Sequence, residues 1–311
     1  MARNSYRRAL SSMDSTAPKL VVVVPTKDRR KLLERSLGSV WAQTYPHFRV
    51  VVVDDGSTDG THEYLSSLQD PRLTVITHER NRGVNASRND AFRTLAPDEW
   101  AVPLDDDDVF LQDALQRVAN AVVATPPDIA VLNFNTITHT SSGDIDTGRQ
   151  FATEEEWYEP TYHAFFTGEG LQTSGDVRSA LRSDLFPKYL FSEDVNGFEG
   201  EWWLRIGRDG VRVRYMPERI IWIDRSHEGE HLSDVAARRD PGSFVRAHQR
   251  IFKAHASFLD AHSDIARARA VVGLKLAVRA RNVSAGFRFL TLYLRFLLKG
   301  GKGVVRKPEH K

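Results

Sequence analysis

The sequence predicts an α/β fold: a mostly parallel sheet flanked by helices, with a helical appendage at its C-terminal end. Three observations predict it. The runs Leu20–Val24 and Phe48–Val53 are almost continuously β-branched, the composition of strands buried on both faces. Helical patterns separate these runs from each other and from a third, Leu73–Ile76, so strand and helix alternate as in right-handed parallel crossovers. Beyond Asp234 only helical periodicity remains.

Length and composition set the outer limits. The chain of 311 residues is long enough for one large domain and an appendage, and 41% hydrophobic with 27% charged residues is ordinary for a globular protein. A formal net charge of +2 gives no reason to expect nucleic acid as a partner. There is no cysteine, which excludes disulfides, zinc–thiolate sites and a Cys nucleophile. The stretch 1–18 is polar, basic and Ser-rich, without the apolar centre of a signal peptide, so it reads as a flexible tail on a cytoplasmic protein. No run reaches the roughly 20 apolar residues of a membrane span.

Each element follows from its pattern. After Leu20–Val24, Pro25 is expected to end the first strand, and Thr26-Lys27-Asp28-Arg29 to turn into a helix marked by Leu33, Leu37, Val40 and Trp41. The second strand runs into Asp54-Asp55-Gly56-Ser57-Thr58-Asp59-Gly60, a turn-forming acidic loop. A short helix through Tyr64, Leu65 and Leu68 leads to the third strand. Asn81-Arg82-Gly83 then turns into a helix carrying Arg88, Ala91 and Phe92. Alone, Arg88 reads as a surface charge.

The fourth strand, Trp100–Leu104, ends in Asp105-Asp106-Asp107-Asp108, and a helix through Leu111, Leu115, Val118 and Val122 follows. Ligands of open α/β sheets bind at the carboxyl ends of strands. Four adjacent carboxylates repel one another unless a cation offsets them, and oxygen-only ligands suit Mg2+ or Mn2+. The plainer reading is a solvated acidic loop with one Asp as a helix cap. A dinucleotide-binding oxidoreductase would need Gly-x-Gly-x-x-Gly after the first strand, and Pro25–Arg30 contains no glycine.

Together these motifs are those of a known family. Val24-Pro25-Thr26-x-x-Arg29, Val53-Asp54-Asp55-Gly56-Ser57-Thr58-Asp59, Asn81-x-Gly83 with Ala86-x-Arg88-Asn89, and Leu104-Asp105-x-Asp107-Asp108 resemble glycosyltransferase family 2, inverting enzymes of GT-A fold. The resemblance is strong over the first 135 residues and weak to about residue 235. It implies a tail at 1–18, a catalytic domain at 19–235 and a helical region with a basic tail at 236–311. Within the catalytic domain, 19–135 would be the nucleotide-sugar half and 136–235 the acceptor half. Pro25, Thr26, Arg29 and Asn81 would line the donor site, and either Asp54 or Asp55 would accept a hydrogen bond from the base, which favours UDP- or dTDP-sugars. Arg88 would lie near the diphosphate, Asp105 and Asp106 near the nucleotide sugar, and Asp107 with His227 on a divalent metal, Mn2+ or Mg2+. His231 is the second choice for that histidine.

The base of the resemblance falls on Glu199, counting back from Leu204-Arg205. Here the sequence departs from the family pattern: the base is Glu, and Phe198 stands where an acid is usual. Glu201 and Asp194 are rivals, the latter within Glu193-Asp194, and acids near a helix start are also favoured by its dipole alone. The implied function is sugar transfer from a nucleotide-diphosphate sugar to an acceptor hydroxyl of a glycan, glycolipid or small molecule, in cell-envelope polysaccharide or glycoconjugate synthesis. The alternatives are a nucleotidyltransferase or a non-catalytic sugar-binding descendant. Further on, Val211–Tyr215 and Ile220–Ile223 read as two strands. Phe287–Lys299 is dense in apolar residues with basic interruptions, so the last helix either packs on the domain or lies on the inner face of a membrane through 286–311.

Overall fold

The computed structural model describes residues 17–140, 143–146, 157–170, 177–195, 197–225 and 237–299. Contacts divide the chain into two compact units, one of residues 1–193 with 209–228 and one of 194–208 with 229–311. The sequence-based boundary near residue 235 differs from this division. Asp194–Arg208, assigned by chain order to the acceptor half, groups with the C-terminal helices, because Phe198 packs on Phe244 and His248 and Glu201 pairs with Arg250.

In the first unit the alternation of strands and helices is as the sequence predicts. The chain runs β1 (Lys19–Thr26), α1 (Arg30–Trp41), β2 (Phe48–Asp54), α2 (Thr61–Ser67), β3 (Leu73–Thr77), α3 (Val84–Phe92) and β4 (Glu99–Pro103). It continues through β5 (Val109–Phe110), α4 (Ala114–Ala124), β6 (Ile129–Thr140), β7 (Gly143–Asp146), α5 (Tyr162–Thr167), β8 (Arg178–Arg182) and, after α6 of the second unit, β9 (Arg212–Asp224). The sheet order is β3-β2-β1-β4-β8-β6-β9-β5, with β7 paired to β6. β1 to β4 are all parallel, whereas β8 runs antiparallel between β4 and β6, so the sheet as a whole is mixed.

The apolar runs are buried because helices cover both sides of β1 and β2. Leu20, Val22, Val24, Val50 and Val52 share one core with Leu33, Leu37 and Val40 of α1 and Leu115 and Val118 of α4. The alternate residues Val21, Val23, Val51 and Val53 are equally buried, and α3 packs along the same two strands. Burying such a side chain contributes about 1.5–3 kcal/mol, which is why two of the most apolar stretches of the chain form the centre of the fold.

Two expected boundaries move. Pro25 does not end β1, which continues to Thr26 with Pro25 opposite Val53. The ladder between β1 and β4 stops at Val23 and Pro103, so the missing N–H of Pro25 costs no sheet bond. The two strands expected at 211–223 are one, β9. Its register against β6 shifts between Tyr215 and Arg219, where the chain bulges and the carbonyl of Pro217 accepts from Asn135 Nδ2 at 3.1 Å.

The second unit contains α6 (Gly200–Arg208), α7 (Pro241–Ala254), α8 (Ala256–Ala261), α9 (Ser263–Arg279) and α10 (Val283–Leu298). Asp240 caps α7, accepting from Ser243 N at 3.1 Å, and Pro241 occupies the first turn, where its missing N–H is harmless. α10 packs on α9 through Ala285, Phe289 and Phe296. Phe289 lies so close to Gly273 of α9 that a β-carbon there would fall 2.5 Å from the ring, and it also meets Phe252. Phe289→Ala is therefore expected to destabilise this unit by about 3–5 kcal/mol, read from urea unfolding of the full chain; an unchanged midpoint would contradict this packing. No helix among the described residues is long and apolar enough to cross a membrane.

Candidate active site

The carboxyl ends of β1, β2 and β4 carry the residues the sequence singles out. Leu104 is anchored to β1 by its N–H donating to the Val23 carbonyl at 2.9 Å, which fixes the acidic cluster beside Thr26. Thr26 Oγ1 donates to Asp106 at 2.7 Å. Arg29, in the turn after β1, donates to Asp107 at 2.8 Å and to Asp106 at 3.2 Å. Arg88 is not a surface charge: it is buried on α3 and donates to Asp105 at 2.7 Å. Arg178, at the start of β8, reaches Asp108 at 2.6 Å and Asp105 at 3.2 Å. Arg35 of α1 donates to the Asp107 carbonyl at 2.6 Å and pairs with Asp224 at the end of β9.

Three guanidinium groups thus face four carboxylates, and the site retains an excess of negative charge. The effect is visible in the acids themselves. Burial and the neighbouring Asp107 and Asp105 charges push Asp106 up to about 7 despite Arg29 and Thr26. Asp108 is raised for the same reason, against Arg178. Burial would also raise Asp105, but Arg88 and Arg178 outweigh it and hold the group well below the usual range.

Among the described residues no three acidic or histidine side chains converge on a single point as a ready-made metal cage. A Mg2+-like ion held by one or two carboxylates and completed by substrate phosphates needs no such cage. The donor set fits that kind of site: hard oxygen atoms and surplus negative charge at a strand end. Asp107 and Asp105 are the side chains that would hold the ion. His227 and His231 lie outside the described residues.

The loops after β2 and β3 are stitched together by the second acidic motif. Asp55 accepts from the backbone N–H groups of Arg82 and Gly83, each at 2.7 Å, and lies 2.7 Å from His78 Nδ1. His78 is buried, and its Nε2 lies 2.9 Å from Asp90. Asp54 behaves differently. Its Oδ1 accepts from Ser57 N at 3.0 Å, while its Oδ2 is buried without a hydrogen-bond donor among the described residues, 3.9 Å from His62 Nδ1. Asn81 turns inward on its own loop, accepting from Gly83 N at 2.9 Å. Gly56 has φ +73°, and a β-carbon there would meet the Arg80 carbonyl carbon at 2.9 Å, so only glycine lets these two loops approach. Asn89, another motif residue, exchanges bonds with the Phe191 backbone at 2.8 and 2.9 Å and donates to Glu193.

The candidate bases lie at or beside the start of α6. Glu199 is exposed immediately before the helix, its carbonyl accepting from Trp203 N at 3.1 Å. Glu201 is buried and engaged at both oxygens by Arg250, at 2.8 Å each. Asp194 accepts from Arg246 and Arg250; burial opposes its ionisation, but the two guanidinium groups prevail and hold its carboxyl below the usual value. Phe198, which stands where an acid is usual, stacks on His248 with ring centres 5.5 Å apart. A β-carbon at Gly200 would lie 3.0 Å from that same Phe198 ring. Trp202 is buried core, set edge-on to Trp203.

Sequence reasoning missed Arg178 and His78. Arg178 lies 70 residues from its partner Asp108, in the weakest part of the motif pattern. His78 follows the third strand with no motif around it. Neither carries a local signal of its role.

Comparison with known proteins places this geometry. The profile of glycosyl transferase family 2 matches residues 21–188, more than half of the chain. A putative teichuronic acid biosynthesis glycosyltransferase of Bacillus subtilis, TuaG, is 34% identical over 107 residues, 34% of this chain and 42% of that protein. The chain spans less than half the length of the curated relatives it matches. Among solved structures, S. aureus TarS 1–349 in complex with UDP-GlcNAc aligns with a TM-score of 0.60 at 22% identity, over 89% of this chain and 73% of that one. The mannosyltransferase PcManGT of Pyrobaculum calidifontis, in complex with GDP-Man and Mn2+, aligns at 0.52 and 20% identity, over 96% of this chain and 89% of that one. The fold is the GT-A architecture expected from the motifs.

Proposed function

Because this chain belongs to glycosyl transferase family 2, we propose that it transfers a sugar from a UDP- or dTDP-linked donor to an acceptor hydroxyl, with inversion and with a divalent metal. The observation that carries this reading is the convergence of Arg29, Arg88 and Arg178 on Asp105–Asp108 at the carboxyl ends of the strands. Paired guanidinium groups and carboxylates are the means to hold a diphosphate and its cation together. The relative TuaG supports a role in cell-envelope polysaccharide synthesis, with a glycan or glycolipid as the acceptor.

In this reading Asp55 accepts the ring N–H of the base. Its Oδ2 receives one described donor, Gly83 N, and a carboxylate oxygen has room for a second. Asp54 is wholly enclosed and keeps the 54–57 turn in place. Arg29, Arg88 and Arg178 release part of their carboxylate contacts to the diphosphate, so that positive charge stands where the leaving group gains negative charge. A metal bound at Asp107 and Asp105 would act there as a Lewis acid. Glu199, which the family register places at the base position, takes the proton of the attacking hydroxyl. The displacement is single, so no protein nucleophile is needed.

The test is a donor panel on the purified chain. UDP- or dTDP-sugars with Mn2+ should raise the melting temperature, by about 2.7 kcal/mol of stabilisation at one hundred times Kd, and should release nucleotide when an acceptor is added. Arg178→Lys should weaken donor binding about tenfold, because lysine loses the forked contact. A panel in which no nucleoside-diphosphate sugar shifts the melt would sink the reading.

A further inference from the structure

α10 is apolar on two opposite sides. Ala285, Phe289 and Phe296 face α9 and are buried. Val283, Phe287, Leu290, Leu294 and Leu297 recur at spacings of four, three, four and three and are exposed. At about 100° per residue the two stripes lie roughly 140° apart. The outer one is no fringe of the core: Phe287 is 66% exposed, Val283 71% and Leu298 85%. Val278 at the end of α9, 70% exposed, extends the face across the hairpin. There an apolar groove of about 320 Å³ runs between Leu274, Val278, Val283, Phe287 and Leu290. Exposed apolar surface that is continuous over two helices marks an interaction site.

The charge pattern identifies the partner. From Ile265 to Pro308 the sequence has eleven Lys and Arg and no Asp or Glu. The rest of the chain has 32 Lys and Arg against 41 Asp and Glu, so positive charge is concentrated in the stretch that bears the exposed stripe. A second copy of this face would bring two positive surfaces together, which opposes pairing. A partner that is negative outside and apolar beneath satisfies both features at once.

We infer that the α9–α10 hairpin docks on an anionic phospholipid surface. Val278, Val283, Phe287, Leu290, Leu294 and Leu297 enter the acyl boundary, and Arg279, Arg281 and Arg288 meet the headgroups. α10 lies in the plane of the interface, since 16 residues span only about 24 Å. Packing and membrane contact are thus not alternatives for this helix, because it has one face for each. The surface does not depend on the transfer reading, as vesicle binding requires no donor.

The experiment is co-sedimentation of the full chain with vesicles of equimolar phosphatidylcholine and phosphatidylglycerol, and with pure phosphatidylcholine. Binding to the anionic vesicles should be about tenfold or more tighter, and should weaken in high salt. Phe287→Ser with Leu294→Ser should lower it about tenfold without changing the melting temperature, since both side chains are exposed. Val278→Ser, on the other helix, should act in the same direction. Arg279→Glu with Arg288→Glu should abolish the preference for phosphatidylglycerol. Equal binding to both vesicle types, or serine variants that bind like the parent, would overturn the inference. So would serine variants whose only effect is to convert a dimer to a monomer in solution.

Discussion

Asp107→Ala is expected to lose about 10³-fold or more in nucleotide-sugar turnover while keeping its fold. The size follows from the several kcal/mol that a cation at a leaving diphosphate supplies, at 1.36 kcal/mol per tenfold. The retained fold follows from the site's charge excess. Asp107 gains a contact with Arg29, but its charge also raises Asp106 and Asp108. Removing it relieves repulsion within a crowded cluster, so the melting temperature should hold or rise. Chelation of the parent protein should give the same loss, reversed by Mn2+ or Mg2+. Measuring nucleotide release and the thermal melt side by side separates loss of chemistry from loss of structure. Full turnover in excess chelator, or in Asp107→Ala, would remove the metal from the mechanism.

The second large effect is on proton transfer. Glu199→Gln should lower the rate of transfer to the acceptor by about 10²–10⁴-fold, the usual contribution of a general base, with donor affinity unchanged. Glu201→Gln should act instead on stability. It breaks a two-oxygen pairing with Arg250 that ties α6 to α7, and its melt should fall while transfer per folded molecule persists. Asp194→Asn should resemble Glu201→Gln, because a carboxylate held low by two arginines is a weak proton acceptor. Single-turnover transfer with the three variants ranks the candidates. Parental transfer by Glu199→Gln, or a collapse confined to Asp194→Asn, would relocate the base.

The two variants probe parts of the molecule that differed in how legible they were. Asp105–Asp108 announce themselves by four consecutive carboxylates after an apolar run, a signal contained in nine residues. Glu199 rests on register alone, in a stretch where Phe198 breaks the expected pattern. The structure gives a physical reason for that break: Phe198 belongs to the packing of α6 on α7 through Phe244 and His248.

The sequence by itself determined where the first four strands run, which of their ends carry carboxylates, and that no glycine-rich phosphate loop follows β1. Those properties are local. Burial on both faces writes a continuous β-branched run, and a turn writes Asp, Gly and Ser. The tertiary structure alone decided what each carboxylate is bound to. Asp54 and Asp55 are adjacent and chemically identical, yet one closes a turn and the other ties down a loop 27 residues away. Arg88 changes from a surface charge to a buried partner of Asp105 only when α3 lies against the strands. Arg178, Arg29 and Thr26 reach the acidic cluster across 70 to 80 residues of chain. The two faces of α10 likewise could not be told apart by composition, since both are apolar rows that include Phe; Gly273 on a neighbouring helix, by admitting Phe289, decides which row is buried. Side-chain partners are set by which strand ends and helix faces the chain brings together, and that depends on the packing of the whole sheet rather than on any window of sequence.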